Sequence, residues 1–233
     1  MHSNFFSLTS LGCCFILMIA FLHEDSVSNS GADAIESRIN GYIQTGAALL
    51  KEGDIVVRMN QDPASEFIRY FNKKDKKFSH AGLAIKDKGA LMIYHMASED
   101  GNPMKLMLRQ KLDVFAEPRH NYGYAIYRYK LTASELNSMR QLIKYWYKLP
   151  VHFDTAFNLA SDNMLYCSEM VQKAISKSTH NRIKISATNL NDLEAKVLNT
   201  YYKLPSQPGS KLIAIDDLYV NAECENIGQF SYQ

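Results

Sequence analysis

Residues Leu165 to Val171, Leu-Tyr-Cys-Ser-Glu-Met-Val, place a cysteine at the entrance of an apolar helix. Cys167, Met170, Val171, Ala174 and Ile175 follow the spacing of a buried helical stripe, so the thiol faces inward from the first turn. There, unpaired backbone N–H groups and the positive end of the helix dipole favour a thiolate, the form that attacks carbonyl carbon. The same placement suits a cysteine that only fills space, because free cysteine is among the most buried residue types. Two histidines bear on the choice. His80 opens a strand in Phe78-Ser79-His80-Ala81-Gly82, and His95 lies one strand later in Tyr94-His95-Met96. An inward thiol with two imidazoles beside it has the parts of a nucleophilic site: a nucleophile, a base and a group that orients the base. A cysteine and two histidines are also three mixed ligands of the kind that hold zinc.

The elements that must position these groups are legible from pattern. Ala81 to Ile85 and Ala90 to Tyr94 are apolar strands separated by the polar turn Lys86-Asp87-Lys88-Gly89, a hairpin signal. A turn centred on Asp87 and Lys88 makes His80 and His95 direct cross-strand neighbours. The packing of the cysteine helix, expected from about Tyr166 to Ser178, against this hairpin is a tertiary relation that the pattern leaves open. Further helices are expected over Ala34 to Leu50, Asp62 to Phe71, from the capping box Thr132-Ala133-Ser134-Glu135 to Lys148, and over Thr188 to Leu198. Further strands are expected over Ile55 to Met59, Tyr124 to Lys130 and Leu212 to Ile215. Helices and hairpins mixed without regular strand and helix alternation indicate an α+β domain with an antiparallel sheet.

Other polar residues near the motifs read as structural. Glu169 suits the dipole of the first helical turn, Asp54 shapes the turn into its strand, Asp154 anchors a loop, and Asp162 and Asn163 are turn or cap residues. His120 and His152 are lone loop histidines with a surface default. Tyr166 carries a hydroxyl within reach of a bound substrate if it turns to the site. An inward ring is packing, and packing is the reading favoured.

With 233 residues, 46% of them hydrophobic, the chain can bury one full core, and residues 34–233 are expected to form a single domain. A formal charge of +2 with acidic and basic residues interspersed lacks the basic footprint of a nucleic-acid binder. The cluster Lys73, Lys74, Lys76, Lys77 is interrupted by Asp75 and reads as a solvated loop. Phe5 to Leu22 is almost wholly apolar and uncharged, so residues 1–33 read as an export signal or a retained signal anchor with a short polar linker. Export to a periplasmic or extracytoplasmic space follows, with membrane association through residues 5–22 in the anchored case. Cys13 and Cys14 belong to this leader, which leaves Cys167 and Cys224, a pair able to form one disulfide but no framework. Cys224 lies in an acidic loop and is assigned no role. No Cys-x-x-Cys, His-Glu-x-x-His or phosphate-cradling glycine loop is present, and no cofactor is implied.

Four stretches carry a family resemblance, in order: Gly53-Asp54-Ile55-Val56-Val57; Phe78-Ser79-His80-Ala81-Gly82; Phe153-Asp154-Thr155-Ala156-Phe157 leading to Ser161-Asp162; and Tyr166-Cys167-Ser168-Glu169. In these the chain resembles the circularly permuted papain-like branch of the NlpC-type cysteine peptidase superfamily, specifically the YaeF/YiiX group, with lecithin:retinol acyltransferase more distant. The resemblance spans about Glu52 to Ser178. It implies a permuted papain-like α+β fold whose antiparallel sheet packs against the cysteine helix, with Cys167 as nucleophile, His80 as base and position 95 as the third triad member. His95 departs from the glutamate of the YaeF/YiiX pattern and matches the histidine of the acyltransferase. A neutral imidazole can accept the His80 N–H, but it stabilises an imidazolium less than a carboxylate does. The implied activity is hydrolysis of an amide or ester in a small-molecule, peptide or lipid substrate, such as a cell-wall peptide, a lipid amide or an acyl ester. It proceeds through a thioester, with the Cys167 N–H as an oxyanion donor. An acyltransferase and a catalytically silent binding protein are the rival readings.

Overall fold

The computed structural model describes residues 25–97, 106–204 and 210–233. The expected leader over residues 5–22 lies outside them. In chain order the elements are α1 (Asp25–Leu49), β1 (Ile55–Asn60), α2 (Pro63–Tyr70), β2 (His80–Asp87), β3 (Ala90–Met96), β4 (Met107–Gln110), α3 (Leu112–Phe115), β5 (Asn121–Tyr129), α4 (Ala133–Lys148), β6 (His152–Phe153), β7 (Met164–Leu165), α5 (Cys167–Ser178), β8 (Thr188–Asn189), α6 (Asp192–Tyr202), β9 (Lys211–Leu212) and β10 (Cys224–Ser231), with a short 3-10 turn at Asp216–Leu218 before β10. The chain divides within α1 into one unit up to Tyr42 and a second from Ile43 to Gln233. Residues 31–38 of the first unit are exposed helix. Everything below concerns the second.

Its frame is a six-stranded sheet in the order β10-β5-β1-β2-β3-β4, antiparallel at each pairing. Alternation gives the sheet two faces. Ile55 and Val57 of β1, Ala81, Leu83 and Ile85 of β2, and Tyr94 and Met96 of β3 are buried in one core with Met139, Ile143 and Trp146 of α4 and Met170, Val171, Ala174 and Ile175 of α5. The expected stripe of α5 is therefore its buried face, and α5 packs on β2 and β3. Each large apolar side chain so buried contributes about 1.5–3 kcal/mol. The alternate set, with Val56, Ala84, Ile93, Tyr124 and Ile126, is buried as well, and Phe115 of α3 belongs to that side.

The β2–β3 hairpin differs from expectation in register. Lys86 pairs with Leu91 and Asp87 with Ala90, which leaves a two-residue turn of Lys88 (φ 48°) and Gly89 (φ 88°). A two-residue turn with both φ positive matches the right-handed twist of the strands, so the ladder continues through the charged residues to the Lys-Gly pair. The ladder ends at Leu83 and Tyr94, and its register, continued one step, sets His95 toward Gly82 and not toward His80. Because the slip is two residues, both histidines keep the same face.

Other boundaries also move. α1 begins at Asp25, nine residues before the expected start, since no proline interrupts the polar stretch. The helix expected over Thr188 to Leu198 is the short strand β8 followed by α6, which opens at the Asn191 capping box. β4 and β10 were not anticipated. The capping box at Thr132 and Glu135 is present as expected, with the Glu135 N–H donating to Thr132 Oγ1 at 3.2 Å and the Thr132 N–H to Glu135 Oε2 at 2.7 Å.

Candidate active site

α5 starts where Tyr166 leaves an extended conformation, and the Glu169 carboxylate closes that start by accepting the Tyr166 N–H at 3.2 Å. Cys167 is thereby the first helical residue, 8% exposed. Two contacts tie this end of the helix to the 211–215 segment: Ser168 Oγ donates to the Ile213 carbonyl at 2.6 Å, and the Ile213 N–H donates to the Tyr166 hydroxyl at 2.7 Å. Tyr166 is thus an anchor whose ring, packed on Phe157, also lines the adjacent cavity.

Cys167 lies near the backbone N–H groups of Ala81 and Ser168, which favour the thiolate. α5 packs on β2, the strand that His80 opens, and Cys167 and His80 line one cavity. The β2–β3 ladder reaches Leu83 and Tyr94 and no further. Burial raises the thiol pKa above its ordinary value, and the Ala81 and Ser168 hydrogen bonds and the Arg58 charge oppose that rise.

His80 is half-buried and lines the cavity, while His95 is fully buried behind it. His80 Nε2 lies 2.8 Å from His95 Nδ1 with the rings perpendicular, and His95 Nε2 lies 3.1 Å from Gln110 Oε1. Phe115 covers both rings at centroid distances of 5.8 and 5.1 Å. Burial, then the Arg58 charge, then the His95 neighbour hold the His80 pKa well below the usual imidazole range. His95 is pushed down to about 3 by burial and by Arg58, against a rise from the Gln110 hydrogen bond. Arg58 pairs with His80 across β1 and β2, stacks on the Phe115 ring at 4.7 Å and donates to the Phe115 carbonyl at 2.9 Å. These directions leave Cys167 a protonated thiol and His80 and His95 neutral imidazoles at neutral pH.

These residues meet at a cavity of about 800 Å³. Its lining is mixed, with Phe71, Phe153, Phe157, Tyr166 and Ile213 among the apolar residues and Arg58, His80, Gln110 and Asn121 among the polar ones. The sequence motifs that converge here are thus the histidine strand and the cysteine helix. Arg58 and Gln110 were missed. A charged residue inside the apolar run Ile55-Val56-Val57-Arg58 is a signal for the first; the second becomes visible only once β4 pairs with β3.

The remaining candidates take structural places. Asp54 accepts the Lys51 N–H at 2.7 Å and both arms of Arg128 at 2.6 and 2.7 Å. Asp154 accepts the N–H groups of Ala156 and Asn158, and Asp162 pairs with Lys173 at 3.1 Å and with Lys177 at 2.5 Å. Glu169 pairs with Lys173 at 2.8 Å, and burial raises its pKa to about 7. His120 and His152 are exposed. Cys167 and Cys224 are both free thiols, so the disulfide does not form; Cys224 opposes Tyr129 at the far edge of the sheet, and burial raises its pKa to about 12.

An antiparallel sheet carrying an imidazole at one strand end, with a cysteine at the entrance of the helix packed on it and the histidine earlier in the chain, defines a permuted papain-like cysteine hydrolase. The model of the permuted papain-like amidase enzymes, YaeF/YiiX, C92 family, matches residues 49–207, and the chain belongs to that family. Among solved structures, the fold is similar to that of the metalloprotein yiiX from Escherichia coli O157:H7, with a TM-score of 0.62 and 17% identity over 78% of this chain and 98% of that one. No curated protein matches the chain.

The zinc reading of Cys167, His80 and His95 meets a geometric obstacle. Among the described residues no group of three or more His, Cys, Asp or Glu side chains is placed to hold a metal ion. Two imidazoles on one tetrahedral zinc, each bound at about 2.0–2.1 Å, keep their nitrogens about 3.3 Å apart. The 2.8 Å contact between His80 and His95 is a hydrogen bond, which a shared ion would have to break.

Proposed function

We propose that the protein is an exported thiol hydrolase in which Cys167 is the nucleophile, His80 the base and His95 the group that orients His80. One observation carries the reading: Cys167 and His80 line the same cavity, where the helix that the cysteine opens packs on the strand that the histidine opens. His80 Nε2 is engaged by His95, so Nδ1 is the nitrogen left to take the thiol proton. The thiolate then bonds to the carbonyl carbon of an amide or ester, with the oxyanion facing the Cys167 N–H. The amine or alcohol leaves with the proton from His80. Water, deprotonated by His80, cleaves the thioester, releases the acid and restores the thiol. The aromatic and aliphatic residues of the lining support an amide or ester with an apolar portion. The uncharged apolar run Phe5 to Leu22 supports export, with cleavage or retention of the leader as its two outcomes.

The test is labelling with a thiol-directed activity probe, followed by mass spectrometry of the modified peptide. Labelling confined to Cys167, lost in Cys167→Ala and weakened in His80→Ala, is the expected result. Equal labelling of Cys167 and Cys224 would reject the assignment. Stoichiometric zinc in the purified protein would also reject it. Adding an amine or alcohol acceptor to the acylated enzyme separates hydrolysis from acyl transfer by the product formed.

A further inference from the structure

The hydrogen bonds behind His80 run in a fixed direction, and Gln110 sets it. Gln110 Oε1 is a carbonyl oxygen and can only accept, so at 3.1 Å the proton of that contact belongs to His95 Nε2. A neutral imidazole carries one ring proton. His95 Nδ1 is therefore a lone pair, and at 2.8 Å it accepts from His80 Nε2–H. The same count leaves a lone pair on His80 Nδ1. Both rings are held neutral by burial and by the nearby Arg58 guanidinium. Had Gln110 offered its amide NH2 instead, each step would reverse: His95 Nδ1 would carry the proton, and His80 would present an N–H in place of a basic nitrogen.

We propose that Gln110, from the edge strand β4, is a positioning residue that locks His95 and, through it, His80 in the Nε2–H tautomers, so that His80 Nδ1 is available as the base. Gln110 reaches this place because β4 pairs with β3, Gln110 opposite Ile93 and Leu108 opposite His95. When His80 takes the thiol proton it becomes a donor at both nitrogens, and the Nε2–H···Nδ1 bond to His95 strengthens without any proton moving along the chain. In this site the fixed dipole of the Gln110 carbonyl supplies the far end of the relay.

The inference rests on the assignment of His80 as base, but its first test needs no substrate. Nitrogen-15 spectra of the imidazoles in the full chain, assigned by comparison with His80→Gln and His95→Gln, report which ring nitrogen carries hydrogen. Both rings are expected as Nε2–H; a wild-type His95 with its proton on Nδ1 overturns the proposal. Gln110→Leu is expected to return His95 toward a mixture of tautomers and to slow acylation by p-nitrophenyl acetate by at least about tenfold, a fraction of what a general base contributes. Gln110→Glu, which accepts at the same place, is expected to restore the Nε2–H form and the rate. Unchanged tautomers and unchanged acylation in Gln110→Leu also overturn it. If Gln110→Leu fails to fold, the wild-type spectrum decides alone. A locked tautomer without Cys167 labelling would reject the hydrolase reading and leave the role of Gln110 standing.

Discussion

His80 Nε2 meets His95 Nδ1 at 2.8 Å although the two residues are not partners in the ladder. The contact is diagonal. A Cβ at Gly82 would stand 3.2 Å from His95 Cβ, so the missing side chain there leaves space beside the rings.

Replacing Gly82 tests that space. A Cβ at position 82 would stand 2.9 Å from the Tyr94 carbonyl oxygen and 3.2 Å from His95 Cβ, both on the neighbouring strand. Backbone must move to admit it, so Gly82→Ala is expected to cost about 1–3 kcal/mol in urea unfolding. It is also expected to lower Cys167 labelling in the fraction that stays folded, because His95 shifts with its strand. Wild-type labelling in a folded Gly82→Ala protein would contradict this.

His95→Glu places a carboxylate behind His80. An anion beside His80 favours the imidazolium and raises the His80 pKa from its depressed position. The base must be neutral to work, so the acid limb of the acylation rate is expected to lie below pH 6.5 in the wild type and to move to higher pH in the variant. The pH profile of p-nitrophenyl acetate acylation reads both.

The buried imidazole also links stability to acidity. His95 has a pKa of about 3 when folded, against an ordinary value of 6.5, and is faced by Arg58, His80 and Gln110. Between these values the unfolded chain binds the extra proton, so unfolding free energy rises with pH and is lost as pH falls below 6.5. His95→Gln is expected to show a smaller loss between pH 7.5 and pH 5 in urea titrations than the wild type does.

Glu169 acts in the opposite sense. Its carboxyl, fully buried, has a pKa of about 7 against an ordinary 4.5, because burial outweighs the Lys173 ion pair. The folded protein holds that proton between pH 4.5 and 7, so this group's contribution declines as pH rises through the window. Glu169→Gln keeps an acceptor for the Tyr166 N–H and is expected to gain stability over the wild type at pH 8 and little at pH 4.5. Thermal unfolding of both proteins at the two pH values measures the difference.

Much of this site is legible from local pattern because its two halves are local. The hairpin and the helix each carry their own signal: apolar runs around a glycine turn, and a stripe beginning at Cys167. The register slipped because Lys86 and Asp87 are polar, while the ladder asks only that their backbones pair. β10 escaped notice because it is an edge strand of half-exposed residues with a bulge between Asn226 and Gly228, which breaks alternation. Gln110 carries no sequence signal at all. Its meaning comes from the pairing of β4 with β3, a contact between segments whose connection has no fixed spacing in the sequence.

The two imidazoles sit on strands joined by a two-residue turn, whereas the thiol arrives with a helix more than seventy residues later in the chain. Hairpins close in microseconds, but contacts between distant segments wait for the chain entropy of a long loop to be overcome. On a ribosome both rings are therefore made, and their hairpin can begin to pair, before the sulfur exists. On the proposed roles the chain acquires its reactivity late, when α5 docks, and a product truncated before Leu165 lacks its nucleophile.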